Sequence, residues 1–346
     1  MIIIVFSLAV IVAVLFLLED YLGPYKLPIY LVLVLIFILV AGFKDMDSVN
    51  DAYNYEFIFE HYDDPILAKG VEFSYLWISK IFYHWFHDVR SIFLFYAILG
   101  VSLKFIAFRK LSPIIFLPVL FYLSNYYLLH DLTQIRAAVA SGFFLFSIYY
   151  LDRDKKIAFL LILCALFFHY SSAALIPLLV LKNSNIEGRK RYLWASIIPI
   201  GYILYFLHLN LLSFIPIPYL ANKIEAYQSL AEKGIVGNEI NVFNLVFLVR
   251  ILIFYFNLYF LDTIKIFNQR TPLLLKIDAF SLFSFPALAT IPAIAFRITE
   301  LLGIVEILLM SNILYTIKQR SIANGVVIFA AFTLLMINVF YLHLLV

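Results

Sequence analysis

The chain has 346 residues, is 64% hydrophobic and 14% charged, and has a mean hydropathy of +0.99. No water-soluble domain encloses that much apolar surface, because surface-to-volume scaling leaves too little interior, so the chain reads as an all-α, polytopic integral membrane protein. A net charge of +3 says little by itself, no nucleic-acid partner is expected, and the single cysteine, Cys164 in an apolar run, excludes a disulfide framework and cysteine-type metal clusters.

The first apolar run, 2–18, has no basic stretch before it and reads as a retained span rather than a cleavable signal. Further blocks follow at 28–43, 91–108, 112–129, 132–151, 157–181, 191–209, 242–262, 273–295, 299–317 and 323–345. Each approaches the roughly 20 residues that cross a bilayer. The first loop, 44–90, is acidic, carrying Asp45, Asp47, Asp51, Glu56, Glu60, Asp63, Asp64, Glu72 and Asp88. Within it Asp51, Tyr55 and Phe59 recur at helical spacing and share a face. "FSYLWISKIFYHWFH" (Phe73–His87) predicts a helix lying in the membrane interface.

Cytoplasmic loops collect Lys and Arg. Arg109 with Lys110, Arg153 with Lys155 and Lys156, Lys182 with Arg189–Arg191, Lys265 with Arg270 and Lys276, and Lys318 with Arg320 share one side only if 157–181 returns to where it started. That block therefore predicts a helical hairpin, full or re-entrant, with His169 near its tip. The total is about eleven to twelve transmembrane or re-entrant helices by the length rule. A second external loop, 210–241, carries Pro216, Pro218, Gly234 and Gly237 and reads as an irregular lid. No internal repeat is evident, so the layout is a single transmembrane domain over 1–346 with external loops 44–90 and 210–241.

This topology gives the intramembrane charges a depth. Arg136 falls about one and a half turns below the external surface, Arg250 a couple of turns below it, and Arg297 at an external helix end beside Glu300. Ionisable residues in spans are costly without a partner or a polar cavity, which makes each a site candidate. Glu306 is the one acid placed deep in a span, so the arginines read as an unpaired cluster. The planar guanidinium fork matches phosphate oxygens, which points to a lipid phosphate or diphosphate. The small residues around Arg136 (Ala137, Ala138, Ala140, Ser141, Gly142) mean either close helix packing or room for a ligand. His130, followed by Asp131 at an apparent external corner, and His169, followed by Tyr170, Ser171 and Ser172, are weaker candidates. Each equally reads as a packed histidine. Glu72 opens the aromatic helix, where an ordinary helix-dipole role is the plain alternative.

Three stretches resemble the EpsG-like and Wzy-type polysaccharide polymerases. "DAYNYEFIF" is similar to the family's Asp-x-x-x-Tyr-x-x-x-Phe and precedes an acidic "GVEFSYLWISKIF" helix. "QIRAAVA" resembles its Arg-Gln-x-Ile-Ala segment, with Ala137 where the family commonly has Gln. "FFHYSSAALIPL" resembles its Phe-His-x-Ser-Ala block. The likeness covers roughly residues 41–181 and continues only in hydropathy and the Arg297 segment.

The resemblance implies a glycosyltransferase with a GT-C-like helical core in the bacterial inner membrane, its active site facing outward. Such an enzyme moves a growing glycan from undecaprenyl diphosphate to a sugar hydroxyl of the next lipid-linked repeat unit, with no metal or other cofactor. On that reading Arg136, Arg250 and Arg297 hold the diphosphate. Asp51, Glu72, His130 and His169 are the candidate bases, and Tyr55, Gln134, Tyr170 and Glu300 line the substrate. Expected partners are undecaprenyl-diphosphate-linked oligosaccharides, membrane lipids, and a chain-length regulator and flippase of the same pathway. The rival reading is a lipid-linked oligosaccharide flippase, a transporter class that often shows internal repeats and a midplane site.

Overall fold

A computed structural model describes residues 1–67, 71–209 and 240–345. The predicted lid, 210–241, lies outside the described residues except at its last two positions. The helices are α1 (Ile2–Leu17), α2 (Lys26–Gly42), α3 (Ala52–Glu60), α4 (Phe73–Phe86), α5 (Val89–Leu111), α6 (Phe116–Ser124), α7 (Ile135–Tyr150) and α8 (Lys155–Phe168). They continue with α9 (Arg189–Phe206), α10 (Leu245–Tyr259), α11 (Leu261–Phe267), α12 (Thr271–Ala287), α13 (Pro292–Gly303), α14 (Glu306–Asn312) and α15 (Arg320–Met336). No strand occurs among the described residues, and the all-α membrane fold stands. Gly23–Gly42, Val89–Leu111 and Arg320–Tyr341 are long and apolar enough to span a bilayer unaided. α10 and α11 form a broken apolar pair bent by 78°.

The chain groups into two compact units, Met1–Leu179 with Met310–Val346, and Val180–Leu309. In the first, α5 packs against α2 and α7, and α7 against α8. Glycine allows the closest approach: a Cβ on Gly142 would lie 2.9 Å from Leu103 Cβ and 3.2 Å from the Gly100 carbonyl. The small residues of α7 thus serve helix packing along this face. Phe37, Phe105, Tyr122 and Tyr127 form an aromatic cluster. The Tyr30 and Tyr127 hydroxyls donate to the carbonyls of Phe105 and Phe37, which satisfies the polar ends of two buried rings.

The backbone between α6 and α7 departs from the sequence expectation. Asn125 breaks the helix, residues Tyr127–Thr133 follow as a wide turn of π-helical type, and Gln134 leaves helical geometry before α7 starts at Ile135. Arg136 is therefore the second residue of α7 and not one and a half turns inside it. Broken backbone at depth needs its carbonyls satisfied by other groups. Asn338 Nδ2 donates to the Ser124 carbonyl at 2.8 Å, Thr133 Oγ1 to Leu128 at 2.9 Å, and Lys44 Nζ to Leu132. Two of these donors come from residues far away in sequence, which is why a local hydropathy window does not reveal the break.

The predicted hairpin forms. Asp154 caps α8, which stops at His169 in extended backbone. Tyr170–Val180 then returns as a 3₁₀ helix containing Pro177, whose missing N–H disfavours a regular α-helix there. Lys155 Nζ donates to the Leu179 carbonyl at 2.9 Å, bringing the two ends of the hairpin together.

Candidate functional site

The most developed polar cluster of the first unit is centred on Glu72, where α3, α4, α7 and α8 contribute side chains. α3 starts just after Asp51 and turns Tyr55 and Phe59 inward, as the spacing predicts. α4 runs from Phe73 with Ser74, Tyr75, Ile78 and Ser79 buried, while Trp77, Trp85 and Phe86 are exposed, as an interfacial helix requires. His87 in the left-handed region ends α4, and the Asp88 carboxylate then caps α5. Glu72 is the residue immediately before α4, so its carboxyl stands at a helix start.

The Glu72 carboxyl joins two of the predicted residues. One oxygen accepts from Arg136 Nη1, and the other meets His169 Nδ1 at 2.8 Å. The Arg136 guanidinium also lies over the rings of Tyr55 and Tyr75, 5.4 and 5.8 Å from their centroids. Tyr75 in turn donates to the Tyr55 carbonyl at 2.9 Å. Tyr170 Oη accepts from the Phe73 amide at 3.2 Å, tying the hairpin tip to the start of α4. Burial works against the Glu72 carboxylate, but the His169 hydrogen bond and the Arg136 charge outweigh it and hold the carboxyl down at about 2. An ionised carboxylate can only accept, so His169 Nδ1 carries the proton and Nε2 is the nitrogen open to other chemistry.

A second pair in the same unit differs in access. Lys104 Nζ donates to Asp131 Oδ2 at 2.7 Å and to the Ala138 carbonyl at 2.9 Å, with both charged side chains fully enclosed. By contrast, 12% of the His169 side chain and 19% of the Arg136 side chain remain exposed. The Lys104–Asp131 pair is a structural clamp on the turn before α7, whereas the Glu72 cluster stays partly exposed.

The structure corrects several expectations. His130 and Asp131 are not an external corner: both are buried, with His130 Nδ1 3.2 Å from Ser141 Oγ and Asp131 on Lys104. The arginines are not unpaired, since Arg136 is held by Glu72 and Arg250 by Glu306, at 2.7 Å. Glu306 is not the only deep acid, because Asp278 on α12 is fully enclosed. Arg136 belongs to the first unit, while Arg250 on α10 and the exposed Arg297 on α13 belong to the second. Glu300 is half-buried one turn after Arg297. Gln134 is half-buried just before α7, and Asp51 half-buried just before α3.

Lys44 was missed by sequence reasoning. It opens the predicted external loop 44–90, yet its ammonium is enclosed over the Phe93 ring, 4.3 Å from the centroid. Burial pushes it down to about 7 against the opposing pull of Asp131 and Asp51. Its position directly after an apolar run and before Asp45 was the only signal, and that signal fits an exposed anchor equally well.

With this geometry in view, the comparison with family models is informative: the model of the EpsG family matches residues 28–345. The chain belongs to the EpsG family. The match extends well past the stretch carrying the motif likeness and takes in both compact units. No curated protein and no solved structure matches the chain. Membership in the EpsG family assigns a polysaccharide-polymerase type of role to this membrane protein.

Proposed function

We propose that the protein is a lipid-linked glycan polymerase, transferring a growing glycan from undecaprenyl diphosphate to a sugar hydroxyl of the next lipid-linked repeat unit at the outer face of the bacterial inner membrane. The observation that carries this reading is the single carboxylate of Glu72 holding an imidazole and a guanidinium side by side. Glycosyl transfer needs a base for the acceptor hydroxyl and cationic stabilisation of the departing diphosphate. His169 Nε2 takes the hydroxyl proton as the acceptor oxygen bonds to the anomeric carbon. The bond from that carbon to the diphosphate oxygen breaks, and Arg136 stabilises the negative charge that develops there. Glu72 orients the imidazole and sets its tautomer, as a carboxylate does for histidine bases elsewhere. The buried rings of Tyr55 and Tyr75 support the Arg136 guanidinium, and the exposed Tyr170 supplies an apolar ring of the kind that packs against sugar faces.

Deleting the gene in its host and resolving the surface glycan on a gel tests the reaction class. Single repeat units without long chains support a polymerase, and loss of all surface repeats supports the flippase instead. Within the polymerase reading, Arg136→Ala abolishes chain growth while the protein still reaches the membrane. Arg136→Lys restores only part of it, because a point charge lacks the two-pronged fork. A normal ladder from Arg136→Ala overturns the assignment.

A further inference from the structure

We propose that Lys44 is a positioning residue of the Glu72 site: from outside the cluster it fixes where α7 begins, and so where the Arg136 guanidinium meets the Glu72 carboxylate. The inference deepens the polymerase reading and rests on the role given there to Arg136. Lys44 is a charged residue that the proposed chemistry does not use, and only 2% of it is exposed. Taking an ammonium out of water is costly, and an apolar side chain of similar volume fills the same space without that cost. What the lysine adds is a donor and a charge, and each has a definite target.

The donor reaches the turn before α7. Lys44 Nζ donates to the Leu132 carbonyl, four residues ahead of Arg136. No regular α-helical ladder holds that stretch, since the turn is of π-helical type and Gln134 leaves helical geometry. On the other side of Arg136, Lys104 Nζ donates to the Ala138 carbonyl at 2.9 Å. Two ammoniums from other elements, one just past α2 and one on α5, thus hold the backbone at residues 132 and 138 and bracket Arg136.

The charge meets a ring. Lys44 Nζ lies 4.3 Å from the centroid of Phe93 on α5. The Phe93 ring meets Tyr55 edge-on, with centroids 6.4 Å apart and planes at 87°. The Tyr55 ring in turn lies 5.4 Å from the Arg136 guanidinium. A path of two buried rings therefore joins the two cations, beside the backbone path through Leu132. Lys44 also stands just before Asp45, which caps the short turn leading towards α3, so it anchors the segment that carries Tyr55. All these groups belong to the first unit. Without Lys44, the start of α7 and the Tyr55 ring are free to shift relative to Glu72, and Arg136 moves with them.

A double-mutant cycle on the purified full-length chain in detergent tests the positioning, with the unfolding temperature as readout. Lys44→Met removes the donor and the charge and keeps an unbranched side chain. Lys44 and Glu72 share no contact among the described residues, so independent effects of the two sites add. Positioning gives a different result: Glu72→Gln lowers the unfolding temperature much less in the Lys44→Met background, because the Arg136 contact it breaks is already loosened. Additive shifts overturn the proposal. If Lys44→Met does not accumulate, Lys44→Gln, which keeps a donor, takes its place in the cycle.

Chain growth in the gene-deleted host is the second readout. At wild-type membrane level, Lys44→Met is expected to lower the yield of long chains about ten- to a hundredfold. In an Arg136→Lys background it lowers that yield little further, since the fork it positions is gone. A normal ladder from Lys44→Met, or an equal loss in both backgrounds, overturns the proposal. A deletion strain that loses all surface repeats overturns the polymerase reading instead, and the unfolding cycle then decides the placement of Arg136 by itself.

Discussion

The Glu72 carboxylate accepts a guanidinium on one oxygen and an imidazole on the other, and its folded state consequently resists protonation. The unfolded chain binds a proton below the ordinary 4.5, whereas the folded chain refuses it until about 2. The stabilisation is therefore complete above the unfolded value and is lost as pH falls towards the folded one. At about 1.4 kcal/mol per pH unit, it amounts to roughly 3 kcal/mol at neutral pH. Glu72→Gln is expected to cost about that much, since it strands Arg136 beside two tyrosine rings without a counterion. Thermal unfolding in detergent checks this: the gap between wild type and variant narrows as pH is lowered from about 5 towards 2. A gap that is constant across that range contradicts the linkage. At this scale the sequence named the right residue types without their pairings. Glu72, Arg136 and His169 all stood out, but nothing local indicates that a residue before α4 reaches one 64 positions later. Asp278 went unnoticed because a single acid in an apolar run barely changes its mean hydropathy.

At the scale of elements, the run Ala137–Gly142 shows how a sequence feature with two readings is resolved by a neighbour. It offered either space for a ligand or a packing face, and Leu103 and Gly100 of α5 occupy the space beside Gly142. The added methyl of Gly142→Ala meets the Cβ of Leu103 and a backbone oxygen, neither of which is the far end of a flexible chain. The helices must separate slightly, at a cost of about 1–3 kcal/mol. Because Arg136 is carried by the same helix, the shift also loosens its contact with Glu72. Gly142→Ala is thus expected to lower both the unfolding temperature and the proportion of long glycan chains, while Gly325→Ala, inside a helix with no atom near its added methyl, leaves the glycan chains unchanged and does not lower the unfolding temperature. Equal behaviour of the two variants argues against a packing role. Most helices were legible from hydropathy, α4 almost to the residue, because its aromatic stretch is bounded by Glu72 and His87. The segment from Asn125 to Gln134 was not, because its broken backbone is stabilised by Lys44, Thr133 and Asn338, two of which lie far off in the chain.

For the whole molecule, the distribution of basic clusters and the closed hairpin together determine which loops share a side. The Lys155 bond to the Leu179 carbonyl returns the chain to the level at which α8 began. Arg153 before the hairpin and Lys182 after it should then face the cytoplasm, with Lys110 and Lys318, as the positive-inside rule requires. Asp63 in the acidic first loop should face outward, on the side of Glu72 and the proposed glycan chemistry. Cys164 is the one native cysteine, so a Cys164→Ser background permits single reporters. Asp63, Lys110, Arg153, Lys182 and Lys318 are all exposed, and each is suited to replacement by cysteine. A membrane-impermeant maleimide applied to intact spheroplasts is expected to label Asp63→Cys alone, and the other four only after lysis. Labelling of Lys182→Cys but not Arg153→Cys in intact cells means that the 155–181 segment crosses once. Every later helix then reverses, and the basic clusters divide between the two faces. Labelling of Arg153→Cys and not Asp63→Cys inverts the molecule, moves Glu72, Arg136 and His169 to the cytoplasmic side, and removes the basis for an outward-facing polymerase.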